Sequence, residues 1–181
     1  MRVLGWGQRV DEAEFVSFYQ SRADALRDTA YMLCRDWHLA EDLTQVTFTK
    51  LYRVWHRLDD RAALDQYARK VLLRVFLDER RRPWRRETSV EPHSFHLDTA
   101  TTGGLSAVEA SFLHQALVRL PKRRRAVLVL RYWADMSVEQ VAETLDCSTG
   151  TVKSQSARGL SQLRDELERT RVAVNCGDGV N

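Results

Sequence analysis

Cysteine and proline are scarce in this chain of 181 residues, which holds three of each. Cys34, Cys147 and Cys176 are too far apart to form a CxxC pair. Neither a disulfide scaffold nor a four-thiolate zinc site is suggested, and a reducing cytoplasm is the expected compartment. Cys34 and His38 lie four positions apart, but no second pair completes a metal site, so a buried thiol beside a surface histidine is expected. Glycine is also sparse, with eight residues and no glycine-rich phosphate loop. No stretch approaches the roughly 18 to 20 apolar residues that cross a bilayer, and MRVLGWGQRV lacks the apolar run of an export signal. The expectation is a soluble protein without stable membrane insertion. A nucleophile elbow, a paired-carboxylate site and a cofactor fingerprint are all missing, so neither catalysis nor a cofactor is expected.

What is present is helical periodicity and clustered positive charge. The formal net charge is only +3, but its placement is uneven. Arg69 to Arg86 holds eight basic residues against Asp78 and Glu79, and Arg119 to Arg131 holds six with no acid. Such clusters attract polyanions such as nucleic acid, and an anionic membrane surface would attract them too.

No proline occurs before Pro83, and apolar residues recur there at steps of three and four. One helix is predicted from Glu12 to about Cys34, with Phe15, Phe18, Tyr19 and Leu26. A second is predicted from Leu39 to Leu58, with Leu43, Val46, Leu51, Val54 and Trp55 in its stripe. A third carries Leu64, Tyr67, Ala68, Val71, Leu72, Val75 and Phe76 and ends at Pro83. From Glu87 to Gly104 the periodicity disappears among Ser, Thr, Pro and Gly, which reads as a flexible linker. It resumes at Leu105 with a helix up to Pro121, followed by a basic helix from Lys122 to Trp133. Ser137-Val-Glu-Gln has capping-box spacing and opens a short helix over Val138, Val141, Ala142 and Leu145. A turn at Asp146-Cys147-Ser148 leads into a last helix from Thr149 to Glu168, burying Val152, Leu160, Leu163 and Leu167. The fold class is therefore all-α. A bundle over 10–86 and a four-helix unit over 105–168 are joined by the linker 87–104, and 169–181 is expected as a loose tail.

Ser137 to Leu167 forms a helix-turn-helix pattern whose second helix offers Thr149, Thr151, Lys153, Ser154, Gln155 and Arg158. Glutamine can pair with an adenine edge, lysine or arginine with guanine, and hydroxyls with phosphate. Arg80-Arg81-Arg82-Pro83-Trp84-Arg85-Arg86 sets guanidinium groups beside an aromatic ring. That combination suits the backbone and bases of a single strand.

Ala40-Glu41-Asp42-Leu43-Thr44-Gln45 with Phe48 resembles the polymerase-binding helix of sigma factors. Gly150-Thr151-Val152-Lys153-Ser154 resembles their promoter-recognition helix. The order and separation of the two resemble the small extracytoplasmic-function (ECF) group of the sigma-70 family, and the high arginine usage suits an actinobacterial source. The resemblance implies region 2 at 10–86 and region 4 at 105–168. By it, Asp42, Leu43, Gln45 and Phe48 would dock on the core RNA polymerase, through the clamp coiled coil of its largest subunit, with the second-largest subunit also a partner. The segment from Asp59 to Arg86 would bind the minus-ten element, with the loop from Asp59 to Gln66 receiving an unstacked base. Arg69, Lys70, Arg74, Arg80, Arg81, Arg82, Trp84 and Arg85 would hold the strand. Thr149, Thr151, Lys153, Ser154, Gln155 and Arg158 would face the minus-thirty-five element, and an anti-sigma factor is an implied partner. The chain departs from the family pattern at Val46, where glutamate is usual, at Arg74, where asparagine is common, and at Gln155, where a basic residue is common. The alternative is a helix-turn-helix repressor or activator independent of the polymerase. A dimeric repressor has no need of a second basic element on a separate module.

Overall fold

The computed structural model describes residues 6–58, 61–79 and 106–177, and among them every regular element is a helix. The expected linker 87–104 and the run from Arg80 to Arg86 lie outside the described residues. In chain order the elements are α1 (Trp6–Cys34), α2 (Trp37–Val54), α3 (Leu64–Asp78), α4 (Ala107–Arg119), α5 (Lys122–Leu128), α6 (Val138–Leu145) and α7 (Thr149–Gly177).

α1 and α2 form a helical hairpin with a two-residue turn. Arg35 takes a left-handed conformation (φ 59°) and its N–H donates back to the Tyr31 carbonyl at 2.7 Å. Asp36 then caps α2, its carboxylate accepting from the Leu39 N–H at 2.9 Å. The inward face of α2 is Ala40, Leu43, Thr44, Thr47, Phe48, Leu51, with Trp55 just beyond the helix. Val46, expected in that stripe, is instead 43% exposed, because it falls beyond the edge of the inward arc centred on Ala40, Thr47 and Leu51. The two buried threonines are tolerated because each hydroxyl donates one turn back, Thr44 to Ala40 O and Thr47 to Leu43 O, both at 2.7 Å. Phe15 and Phe18 of α1 meet Phe48 and Trp55 at ring separations of 5.1 to 6.3 Å, mostly edge to face. α3 closes the bundle with Leu64, Ala68, Val71, Leu72, Leu73, Val75 and Phe76.

In the C-terminal half two capping boxes set helix starts. The Ser137–Gln140 box opens α6 as its spacing predicts, and a Ser106–Glu109 box opens α4. The basic helix ends earlier than its periodicity predicts: after Leu128 the backbone widens into a π turn over Val129–Trp133. α6 ends on Asp146 in the left-handed region (φ 51°), and the Cys147 N–H reaches back to the Ala142 carbonyl at 3.0 Å. α7 runs on to Gly177, beyond the expected end at Glu168, since neither Pro nor Gly interrupts the sequence between. Its buried positions include Val152, Gly159 and Glu166. Leu160, expected inside, is 41% exposed, because Gly159 takes the inward position one step before it.

The two halves share one continuous apolar core. α3 packs on α6, and α1 packs on α4, α5 and the π turn. Arg125 is the polar centre of this junction. It is 6% exposed and donates to Leu33 O at the end of α1, and to Val118 O (2.8 Å) and Leu120 O (3.2 Å) at the end of α4. One guanidinium thus satisfies carbonyls at two helix C-termini, where the dipoles favour a cation. Around it, His114 contacts Met32 Sδ and lies 5.1 Å from the Tyr31 ring. Lys122 stands 4.8 Å over the Phe76 ring, and Gln66 donates to Glu143 at 3.0 Å.

Candidate nucleic-acid interface

The helix-turn-helix is built by local chemistry. Ser148 opens α7: its Oγ accepts from the Thr151 N–H at 3.1 Å and pairs with the Thr151 hydroxyl at 2.8 Å. Val152, fully buried, fixes the rotation of the helix. That rotation leaves Thr149, Thr151, Lys153, Ser154 and Arg158 exposed along about two and a half turns of the helix. Gln155 differs: it is half-buried, and its Oε1 accepts from Arg124 Nε of α5 at 3.3 Å. The same guanidinium donates through Nη1 to Gln162 at 2.7 Å. The short residues at the helix start leave the backbone near its N-terminus open, the end best suited to phosphate and base edges.

The N-terminal basic surface is divided. Arg74 is exposed and Lys70, one turn earlier, is half-buried. Arg69 is committed to an ion pair with Asp65 at 2.8 Å, a carboxylate that Arg22 also approaches at 3.6 Å. Arg80, Arg81, Arg82, Trp84 and Arg85 lie outside the described residues. The expected base-receiving loop from Asp59 to Gln66 divides as well. Asp59 and Asp60 lie outside the description, Arg61–Ala63 form a short 3-10 turn, and Leu64 to Gln66 begin α3. Gln66 points at Glu143 of α6.

On α2, Gln45 is exposed and Asp42 half-buried. They occupy one outward face together with Val46 and Thr49. Leu43 and Phe48 turn inward, 1% and 4% exposed, and so support that face from beneath. Tyr19 and Tyr52 stay exposed near it, Tyr19 with its ring 4.7 Å from Phe48.

Cys34 donates to Asp36 O at 3.2 Å, and burial pushes its thiol up to about 12, so it is a poor nucleophile. His38 beside it is exposed. No described helix is long and apolar enough to cross a membrane. Sequence reasoning missed the Arg124–Gln155–Gln162 network. Gln155 and Gln162 are seven apart and so share a face of α7, but nothing in the sequence ties that face to α5.

Sigma-70 region 2 matches residues 18–86, and sigma-70 region 4 matches residues 113–163. The chain belongs to the sigma-70 family. Among its curated relatives, the RNA polymerase sigma-E factor of Streptomyces avermitilis is 35% identical over 157 residues, 86% of each chain. The sigma-E factor of Streptomyces coelicolor is 34% identical over 161 residues, 85% of this chain and 86% of that one. The ECF sigma factor SigE of Mycolicibacterium smegmatis is 30% identical over 155 residues, 83% of this chain and 60% of the relative. The fold is that of the sigma factor RpoE from Bartonella quintana, solved with the anti-sigma factor NepR. That structure has a TM-score of 0.71 at 23% identity and covers 86% of this chain and 97% of that one. This protein is thus an RNA polymerase sigma factor of the ECF kind, which sets aside the independent repressor. Sigma factors are transcription initiation factors and are not known as enzymes. The α2 face and the α7 face accordingly belong to a protein that brings polymerase to promoters.

Proposed function

We propose that this sigma factor divides its work between three surfaces. The outward face of α2, with Asp42 and Gln45 upon it and Leu43 and Phe48 holding it from beneath, docks on the largest subunit of core RNA polymerase. The second-largest subunit is a further partner. Arg69, Lys70 and Arg74 of α3, continued by Arg80, Arg81, Arg82, Trp84 and Arg85, hold the melted strand of the minus-ten element. Melting becomes favourable because unstacked bases and phosphates gain aromatic and guanidinium contacts that the duplex lacks. Thr149, Thr151, Lys153, Ser154, Gln155 and Arg158 of α7 read the minus-thirty-five element in the major groove. Region 2 occupies 10–86, region 4 occupies 105–168, and the linker 87–104 joins them. The protein works in the cytoplasm, where the polymerase is, and catalyses nothing itself. The RpoE relative was solved in complex with an anti-sigma factor, and a partner of that kind is proposed here.

The observation that carries this division is the separation of the faces. α7 presents an exposed polar and basic surface on the opposite half of the chain from Asp42 and Gln45. Binding of the purified factor to sigma-free core polymerase, and selection of promoter fragments by the assembled holoenzyme, test it. Asp42→Ala with Gln45→Ala lowers affinity for core about tenfold and leaves the selected promoter sequence unchanged. Arg158→Ala keeps core affinity and costs about 1 to 3 kcal/mol of discrimination at one upstream base pair. A single variant that lost core binding and promoter choice together would overturn the division.

A further inference from the structure

α5 and α7 approach closely at Gly159, where an added Cβ would meet the Leu128 side chain at 3.1 to 3.2 Å. Arg124 lies one turn before Leu128, so it projects from the same face of α5. The close crossing delivers its guanidinium onto α7, where it spans Gln155 and Gln162, two turns apart. The planar fork suits this bridge: Nε meets one amide oxygen at 3.3 Å and Nη1 the other at 2.7 Å. Gln155 is flanked on α7 by the exposed residues Thr151, Ser154 and Arg158. It therefore stands within the surface assigned to promoter reading, with one end of its amide already committed.

A glutamine amide carries an acceptor oxygen and a donor NH2 on the two arms of one planar group. Pairing with adenine uses both arms, accepting from N6 and donating to N7. With its oxygen turned toward α5 and held by a cation, Gln155 keeps only the donor arm for the groove. Guanine, with acceptors O6 and N7, and thymine, with acceptor O4, satisfy that arm. Adenine offers it N7 alone and leaves the N6 donor without the expected partner.

We propose that Arg124 is a specificity-determining positioning residue: by holding the Gln155 carbonyl oxygen it makes Gln155 a donor-only reader that prefers guanine or thymine to adenine. This rests on the reading of α7 as the helix in the minus-thirty-five groove.

The test uses holoenzyme assembled with sigma-free core polymerase and a promoter library randomised upstream, comparing wild type, Arg124→Met, Gln155→Ala and Arg158→Ala. Methionine keeps the stem that packs on α7 and removes the donors, and a thermal melt verifies that each variant is folded. Gln155→Ala flattens the preference at one base pair. Arg124→Met keeps a preference at that pair but raises adenine relative to guanine and thymine about tenfold, as one recovered bond allows. The proposal is overturned if Arg124→Met weakens all sequences equally and lowers the salt slope, which marks a phosphate contact. It is also overturned if Gln155→Ala flattens no position while Arg158→Ala does, since α7 then reads bases without Gln155. If neither variant flattens any position, the reading of α7 itself falls, and the proposal with it.

Discussion

His114 is 3% exposed, set against Met32 and Tyr31 where the halves meet, and burial, aided by the nearby Arg35 charge, holds its pKa down at about 4. The folded state therefore keeps the ring neutral. Above pH 6.5, the ordinary histidine value, folded and unfolded chains are both neutral there and His114 contributes no pH dependence. Between 6.5 and about 4 only the unfolded chain takes up the proton, so stability falls as pH falls, by up to about 1.4 kcal/mol per unit. Urea unfolding at pH 7 and pH 5 should show that loss in the wild type and a shallower one in His114→Gln; parallel slopes would refute the assignment. Glu109 and Glu139 are also held low, chiefly by hydrogen bonds at their helix starts. At this scale the sequence is legible where chemistry is local, as in the Ser137–Gln140 box. It is silent where partners come from afar: nothing near Arg125 in the chain announces that Leu33 will supply an acceptor.

At the scale of elements, the periodic signal locates every described helix but misplaces one residue in the buried stripe of two of them. Val46 and Leu160 are apolar and fit buried stripes by their spacing; Thr47 and Gly159 take those places. A threonine satisfies its hydroxyl within its own helix, and a glycine is buried because a neighbour comes close, so neither carries a hydrophobic signal in the sequence. Gly159 also answers a puzzle of propensity, since a mid-helix glycine costs up to about 1 kcal/mol relative to alanine. The cost is offset by the close seat it gives Leu128, itself only 3% exposed and hemmed in by the core. Gly159→Ala should therefore lower stability by roughly 1 kcal/mol, as overpacking outweighs the better helix propensity. Chemical denaturation measures it; a stabilised variant would mean that Leu128 can shift freely. The π turn after Leu128 has no local marker in the sequence; Leu130 within it and Met136 just beyond it are buried.

At the scale of the whole molecule, composition and spacing were enough for the all-α class and for the order of the two modules. They point to a bundle and a four-helix unit joined by a linker, and in the structure the two halves pack together around Arg125, His114 and the Gln66–Glu143 pair. A closed body of this length has a radius of gyration of about 16 Å. Elements roughly 25 base pairs apart, as their names imply, lie about 85 Å apart on straight duplex at 3.4 Å per pair. The closed form cannot touch both, while residues 87–104 could extend to about 60 Å. Promoter engagement on the proposed plan thus requires the junction to part. A short bismaleimide bridge between Gln66→Cys and Glu143→Cys, in a chain with Cys34, Cys147 and Cys176 replaced by serine, should reduce promoter-specific transcription at least tenfold. The unbridged double variant is the reference for that loss, since it carries the same substitution in the expected base-receiving loop. Full activity of the bridged protein would show that the halves work without separating.

The most direct test of the central claim is transcription from a library of linear promoter fragments by sigma-free core polymerase, with and without this protein. The account predicts transcripts from discrete start sites that depend on the added protein and share two upstream sequence elements. Core binding without any start-site-specific transcript, or sequence-specific duplex binding by the protein alone with no effect on core, would contradict it.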